Sequence, residues 1–129
     1  MSPDQTSFIV NSARKAADRR IKCVLYALQA QPGLRAAQLA PRVGLTASYL
    51  QKLFKKEIGF RIGEYAMELR LLRASHLLAE TLKPLKEIRH EVGIPDPSNF
   101  ARWFKERFGC APMTFRKRAD ARLNQQIGV

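Results

Sequence analysis

The chain has 129 residues, 46% hydrophobic and 26% charged, which is enough for the core of one domain or of two small ones. Its 23 Lys and Arg residues outnumber 11 Asp and Glu, and the net charge of +12 favours a polyanionic partner. No apolar run of about 18 residues is present, which excludes a membrane span and leaves nucleic acid, or an anionic membrane surface, as the partner.

The first residues and the cysteine content predict the cellular compartment. Residues 1–7 are polar and include Asp4, so they do not form a signal peptide. Two cysteines, Cys23 and Cys110, make no disulfide framework and are expected as reduced thiols in a cytoplasm, with Cys23 in the core and Cys110 in a loop where it could oxidise.

The first half of the chain predicts four helices. The first begins near Asn11 or Ser12 and places four apolar residues on one side: Ile21, Val24, Leu25 and Leu28. A short helix covers 34–43 and stops at Gly44. Thr46 caps a third helix, which ends at Gly59. A long helix over 63–80 is apolar on two sides, as expected for a helix packed between neighbours.

The second half repeats this pattern. A short helix over 85–92 stops at Gly93, and Asp96 followed by Pro97 is a strong helix start. That helix ends at Gly109 and is expected to bury Phe100, Trp103 and Phe104. A last helix opens at Pro112 and runs to about Leu123, followed by a frayed tail over 124–129.

The two halves are copies of one small unit. With a shift of fifty positions, Phe54, Lys55 and Gly59 recur as Phe104, Lys105 and Gly109. Upstream the shift is forty-nine, which matches Val43-Gly44-Leu45 to Val92-Gly93-Ile94. A short helix, a glycine turn and a second helix form a helix-turn-helix, whose second helix normally lies in the major groove of DNA. We call the second helices, near 47–56 and 97–107, the reading helices.

At 100° per residue, each reading helix has one outward surface. It carries Ser48, Lys52 and Lys55 with Gln51 on the flank in the first copy, and Ser98, Arg102 and Lys105 with Asn99 on the flank in the second. Neither set includes an acid. Arg102 can fork onto guanine, and Gln51 or Asn99 can pair with adenine, although any surface helix is also polar outside. The spacer helix spans about 27 Å at 1.5 Å per residue, close to the DNA repeat of about 34 Å, so we expect successive major grooves to be read, with a monomer able to fill the site.

These residues resemble the DNA-binding domain of AraC/XylS regulators. The similarity covers about 21–118 and is carried by Val43-Gly44-Leu45-Thr46, Phe54-Lys55-Lys56, Val92-Gly93-Ile94, Phe104-Lys105, Phe108-Gly109 and Phe115-Arg116. The resemblance implies an all-α fold of about seven helices. It further implies a transcription regulator of activator type that acts in the bacterial cytoplasm in association with the nucleoid and contacts RNA polymerase. It also implies base reading by Ser48, Gln51, Lys52, Ser98, Asn99 and Arg102. Phosphate contacts are expected at Thr46, Lys55, Lys56, Lys105 and Arg107. Two departures from the family pattern are Arg89, where a small residue is usual, and Pro41 inside a short helix.

The resulting domain prediction has five parts: a partly helical extension over 1–20, helix-turn-helix subdomains over 21–62 and 81–123, a linker helix over 63–80 and a tail over 124–129. Neither the spacing of Cys23, His76, His90 and Cys110 nor any nucleophile pairing indicates a metal site, a cofactor or an enzyme. Two alternatives remain: a non-specific architectural DNA-binding protein, and a DNA-targeting fragment of a larger sensor.

Overall fold

The computed structural model describes Ile9 and residues 11–126, and all regular secondary structure in that part of the chain is helical. The chain divides into two compact units, Met1–Leu69 and Arg70–Val129, and the boundary falls inside one helix. No helix in the described ranges combines the length and the apolar character that crossing a bilayer requires.

The first unit begins with helical residues at 11–15. The helices that follow are α1 (Arg19–Ala30), α2 (Ala36–Leu39, continued by a 3₁₀ turn Ala40–Val43), α3 (Ala47–Ile58) and α4 (Ile62–Glu80), which extends into the second unit. The predicted apolar side of α1 is buried as expected and packs with Leu50, Phe54 and Ile58 of α3. The rings of Phe54 and Tyr65 meet edge to face, with centroids 5.7 Å apart, which favours a fixed packing of α4 on α3.

The second unit contains α5 (Leu85–Glu91), α6 (Pro97–Phe108) and α7 (Pro112–Gln126). Its core is aromatic: the Phe104 ring lies 4.5 Å from that of Phe108 and 5.4 Å from that of Phe115, centroid to centroid. Arg116 donates hydrogen bonds from Nε to the carbonyl of Leu78, at 3.0 Å, and from Nη2 to the carbonyl of Thr81, at 3.1 Å. It thereby satisfies carbonyls that the end of α4 leaves without helical partners.

The start of the first long helix differs from the prediction. α1 begins at Arg19 and is capped by Asp18, whose side chain accepts from the backbone N–H of Arg20. The helical residues at 11–15 form a separate stretch, because Glu57 of α3 accepts the backbone N–H groups of Ala17 (2.7 Å) and Asp18 (2.8 Å) and holds the chain in a bend. A cap at Asn11 or Ser12 for α1 is therefore wrong.

The end of the last helix differs as well. α7 continues to Gln126, so the prediction of a frayed tail is wrong for residues 124–126, whereas residues 127–129 lie outside the described part. The sequence 116–126 is polar but contains no Gly or Pro to stop the helix.

Three predicted core or loop positions are also corrected. Cys23 is exposed on α1, because it lies one residue before the buried Val24 and one position off the apolar side. Cys110 is buried rather than open to oxidation, and Trp103 is only half-buried. Arg89 donates a hydrogen bond from Nη1 to the carbonyl of Pro95, which places this long side chain over the turn between α5 and α6.

Candidate nucleic-acid interface

The reading helix α3 is fixed at both ends by local chemistry. Thr46 caps it as predicted, with the hydroxyl accepting from the backbone N–H of Tyr49 at 3.2 Å. Gly59 ends it at φ +88°, a left-handed conformation that a side chain would strain. Because Leu50, Phe54 and Ile58 are fully buried, the opposite surface of α3 must face outward. It exposes Ser48, Gln51, Lys52, Lys55 and Lys56.

The reading helix α6 is built in the same way. Asp96 caps it, Pro97 occupies the start and Gly109 ends it at φ +80°, all as predicted. Phe100 and Phe104 are fully buried. Ser98, Arg102 and Lys105 are exposed, while Asn99 and Arg107 are half-buried.

One electrostatic expectation fails on α6. Glu106 is exposed and follows Arg102 by four residues, so the two side chains lie on neighbouring turns of the same surface. The expected absence of acids holds only for the narrow arc of Ser98, Arg102 and Lys105. Glu106 lies about 40° from Arg102 around the helix, between Arg102 and the flanking Asn99.

A groove beside α3 gathers four of the predicted DNA-contacting residues. It has a volume of about 660 Å³ and is lined by Ser48, Gln51, Lys52, Lys55, Arg61, Ile62, Gly63 and Glu64. Arg61, directly before α4, and Gly63, in the first turn of α4, were not predicted as site residues. The signal that could have found them is their position directly after Gly59, where the chain turns back along the reading helix.

Some predicted phosphate-binding side chains also make contacts within the protein. Lys55 donates from Nζ to the carbonyl of Gly59 at 3.3 Å, near the negative end of the α3 dipole. The guanidinium carbon of Arg107 lies 4.8 Å from the centroid of the Phe108 ring. An ammonium has three donors, so the bond to Gly59 leaves Lys55 able to contact a phosphate.

A contact that the sequence did not predict joins α1 to α3. The Arg20 side chain donates to the carboxylate of Asp18, with Nη2 to Oδ2 at 2.8 Å, and also interacts with the Tyr49 hydroxyl. The hydrogen bonds from Arg20 lower the pKa of Asp18 to about 2. Tyr49, which is 50% exposed, thereby links the reading helix α3 to α1.

The described part of the chain contains no group of side chains that could bind a metal ion. Among the residues that the structure describes, no three His, Cys, Asp or Glu side chains lie close enough together to hold an ion.

The chain matches known regulators across most of this region. The helix-turn-helix domain family matches residues 39–118. The Msm operon regulatory protein of Streptococcus mutans serotype c is 35% identical over 107 residues, which are 83% of this chain and 38% of that protein. The arabinose operon regulatory protein of Escherichia coli strain K12 is 31% identical over 88 residues, 68% of this chain and 30% of that protein. The chain thus spans about a third of the length of these curated relatives.

A solved structure agrees with the fold. The C-terminal domain of AraT, a response regulator from Geobacillus stearothermophilus, superimposes with a TM-score of 0.71 at 23% identity, covering 78% of this chain and 86% of that chain. The family match includes Thr46, Asp96, Gly59 and Gly109, the four residues that begin and end the reading helices. The chain therefore belongs to the AraC-type helix-turn-helix family of DNA-binding transcription regulators.

Proposed function

We propose that this chain is a sequence-specific regulator that binds double-stranded DNA with α3 and α6, each placed in a major groove. The observation that carries the proposal is the repeated reading helix: an oxygen cap, a buried aromatic side, an αL glycine and an outward surface rich in polar and basic groups. Such a surface offers the kinds of donors and acceptors that pair with base edges in the major groove.

The proposed base-reading residues divide between the two helices. Ser48, Gln51 and Lys52 act from α3, and Ser98, Asn99 and Arg102 act from α6. Gln51 suits adenine and Arg102 suits guanine, because amide and guanidinium groups form two hydrogen bonds to those bases in the major groove. The two sets differ, so the preferred site has two unlike blocks and no two-fold symmetry is needed.

The proposed phosphate contacts are Thr46, Lys55, Lys56, Lys105 and Arg107. They lie on or beside the outward surfaces of the reading helices, and all but the half-buried Arg107 are exposed. Such contacts supply affinity and register without sequence preference.

The proposal extends to the partners of a regulator. We infer that the protein acts on DNA in the bacterial cytoplasm, as a monomer on each site, and that bound protein contacts RNA polymerase to activate transcription. The names of relatives as operon regulatory proteins support this activity.

Selection of duplexes from a random pool tests the function. We expect a motif of two unlike blocks, bound at least about 10³-fold more tightly than random duplex of equal length. Equal binding of every duplex would identify an architectural DNA-binding protein instead. On the selected site, Arg102→Ala is expected to cost about 1–3 kcal/mol of discrimination at one base pair, measured by anisotropy titration with single-base-pair variants.

A further inference from the structure

Three residues at the start of α6 are linked by hydrogen bonds. The Oδ1 atom of Asp96 accepts from the backbone N–H of Asn99 at 2.9 Å, and the Oδ1 atom of Asn99 accepts from Nη2 of Arg102 at 3.1 Å. The guanidinium carbon of Arg102 also lies 5.9 Å from the centroid of the Trp103 ring. The guanidinium of this exposed arginine is therefore hydrogen-bonded to Asn99 and lies near the Trp103 ring in the protein alone.

This arrangement affects the entropy of base recognition. Arginine has many rotamers, and fixing them on binding opposes affinity. A hydrogen bond that already restricts Arg102 lowers that loss, and it restricts the directions in which the guanidinium can point.

The donors that remain suit guanine. A guanidinium has five N–H groups, and Asn99 accepts from one of them, which leaves enough for a two-donor fork onto O6 and N7 of guanine. The same bond uses one of the two lone pairs of Asn99 Oδ1, the atom that would accept from the N6 amino group of adenine, and so competes with adenine for this acceptor.

We propose that Asn99 is a positioning residue that holds Arg102 toward guanine, so that the Asn99–Arg102 pair, rather than Asn99 alone, sets the base preference of α6. This rests on the proposed function, because it requires α6 to face bases. It replaces the sequence-based expectation that Asn99 reads adenine with a guanine contact that Arg102 makes and Asn99 positions.

The first module provides a matched comparison. At the fifty-residue shift, Asn99 corresponds to Tyr49 and Arg102 to Lys52. Tyr49 interacts with Arg20 instead of with its neighbour on the outward surface, and a lysine has no planar fork. Lys52→Ala is therefore the control that removes an exposed cation from the other reading helix without touching the Asn99–Arg102 pair.

The test uses the 129-residue chain and the duplex that it selects from a random pool, together with that duplex changed one base pair at a time. We expect Arg102→Ala to reduce discrimination at one guanine roughly 5- to 150-fold. Asn99→Ala is expected to reduce it about fivefold at the same guanine, and the double variant no further than Arg102→Ala alone, because the two residues act through one contact. Lys52→Ala, which removes a proposed base contact of α3, should weaken binding but leave discrimination at that guanine unchanged.

A further variant separates positioning from direct reading. Asn99→Asp keeps an acceptor for Arg102 but lacks the amide donor that adenine N7 requires. We expect it to keep the guanine preference while the added negative charge weakens binding to all duplexes. Circular dichroism of each variant verifies that it folds.

Two results would overturn the inference: Asn99→Ala leaving guanine discrimination intact while Arg102→Ala removes it, or Asn99→Asp abolishing a preference for adenine. Failure of the proposed function looks different, since the unmodified chain would then bind all duplexes alike before any variant is compared.

Discussion

Asp18 has two roles at the start of α1. Its side chain accepts from the backbone N–H of Arg20 at 2.8 Å and pairs with the Arg20 guanidinium. These hydrogen bonds lower the pKa of Asp18 from 3.8 to about 2. A carboxyl whose pKa is lower in the folded state stabilises the fold above its unfolded pKa, and that stabilisation is lost as the pH falls through the folded pKa.

This pair predicts a specific part of the acid denaturation curve. Between about pH 4 and about pH 2, the free energy of unfolding of the unmodified chain should fall more steeply than that of Asp18→Asn, because asparagine still caps the helix but does not titrate. Urea unfolding at a series of pH values measures the difference. Arg20→Gln, which removes the cation, should flatten the same range, and an unchanged acid limb in both variants would contradict the prediction.

The separation of contacting residues along the chain explains which parts of the site can be predicted from the sequence. The caps at Thr46 and Asp96 and the stops at Gly59 and Gly109 follow from chemistry within three or four residues, and all four predictions are confirmed. The interaction of Arg20 with Tyr49 joins two helices, so no local pattern indicates it.

At the scale of elements, long-range contacts decide where the sequence-based boundaries fail. Glu57 accepts two backbone N–H groups about forty positions earlier in the chain, and this moves the start of α1 to Arg19. The order, type and number of helices between Arg19 and Gln126 are confirmed, because hydrophobic spacing and breakers specify each helix separately. Whether the predicted base-reading residues contact bases stays a prediction.

Two glycines next to the reading helices predict opposite stability changes. Gly109 has φ +80°, so Gly109→Ala should destabilise the protein by about 1–2 kcal/mol through backbone strain. Gly63 is the second residue of α4 and has nothing within 4 Å of an added Cβ, so Gly63→Ala should stabilise the protein by less than the interior value of about 1 kcal/mol. Thermal and urea unfolding without DNA measure both. Equal changes in the two variants would show that backbone conformation does not determine the effect of an added Cβ on stability at these two glycines.

The whole molecule carries a net charge of +12, which promotes association with any polyanion. The family match and the repeated reading helices favour sequence recognition in addition to that attraction. Charge and recognition can be separated, because counterion release depends on the number of phosphates neutralised and not on base sequence.

Salt dependence therefore tests where the charge acts. Lys56→Gln should reduce the magnitude of the slope of log affinity against log salt by about 0.9, the value for one phosphate contact, with equal weakening on all sequences. Lys86→Gln removes another exposed lysine, from α5 and outside the reading helices, and should leave the slope unchanged. Identical slopes for the two variants would show that the overall charge, and not a phosphate contact of Lys56, causes the salt dependence of binding.

The carboxylate of Glu57 has an implication for how binding events are coupled. It attaches the final turn of α3 to the backbone of Ala17 and Asp18, and Lys15 adds a bond from Nζ to the carbonyl of Ile58 at 3.4 Å. A molecule that occupied residues 11–17 would have to break these bonds or shift α3 with them. By thermodynamic reciprocity, DNA that fixes α3 would alter the affinity of that molecule by the same factor.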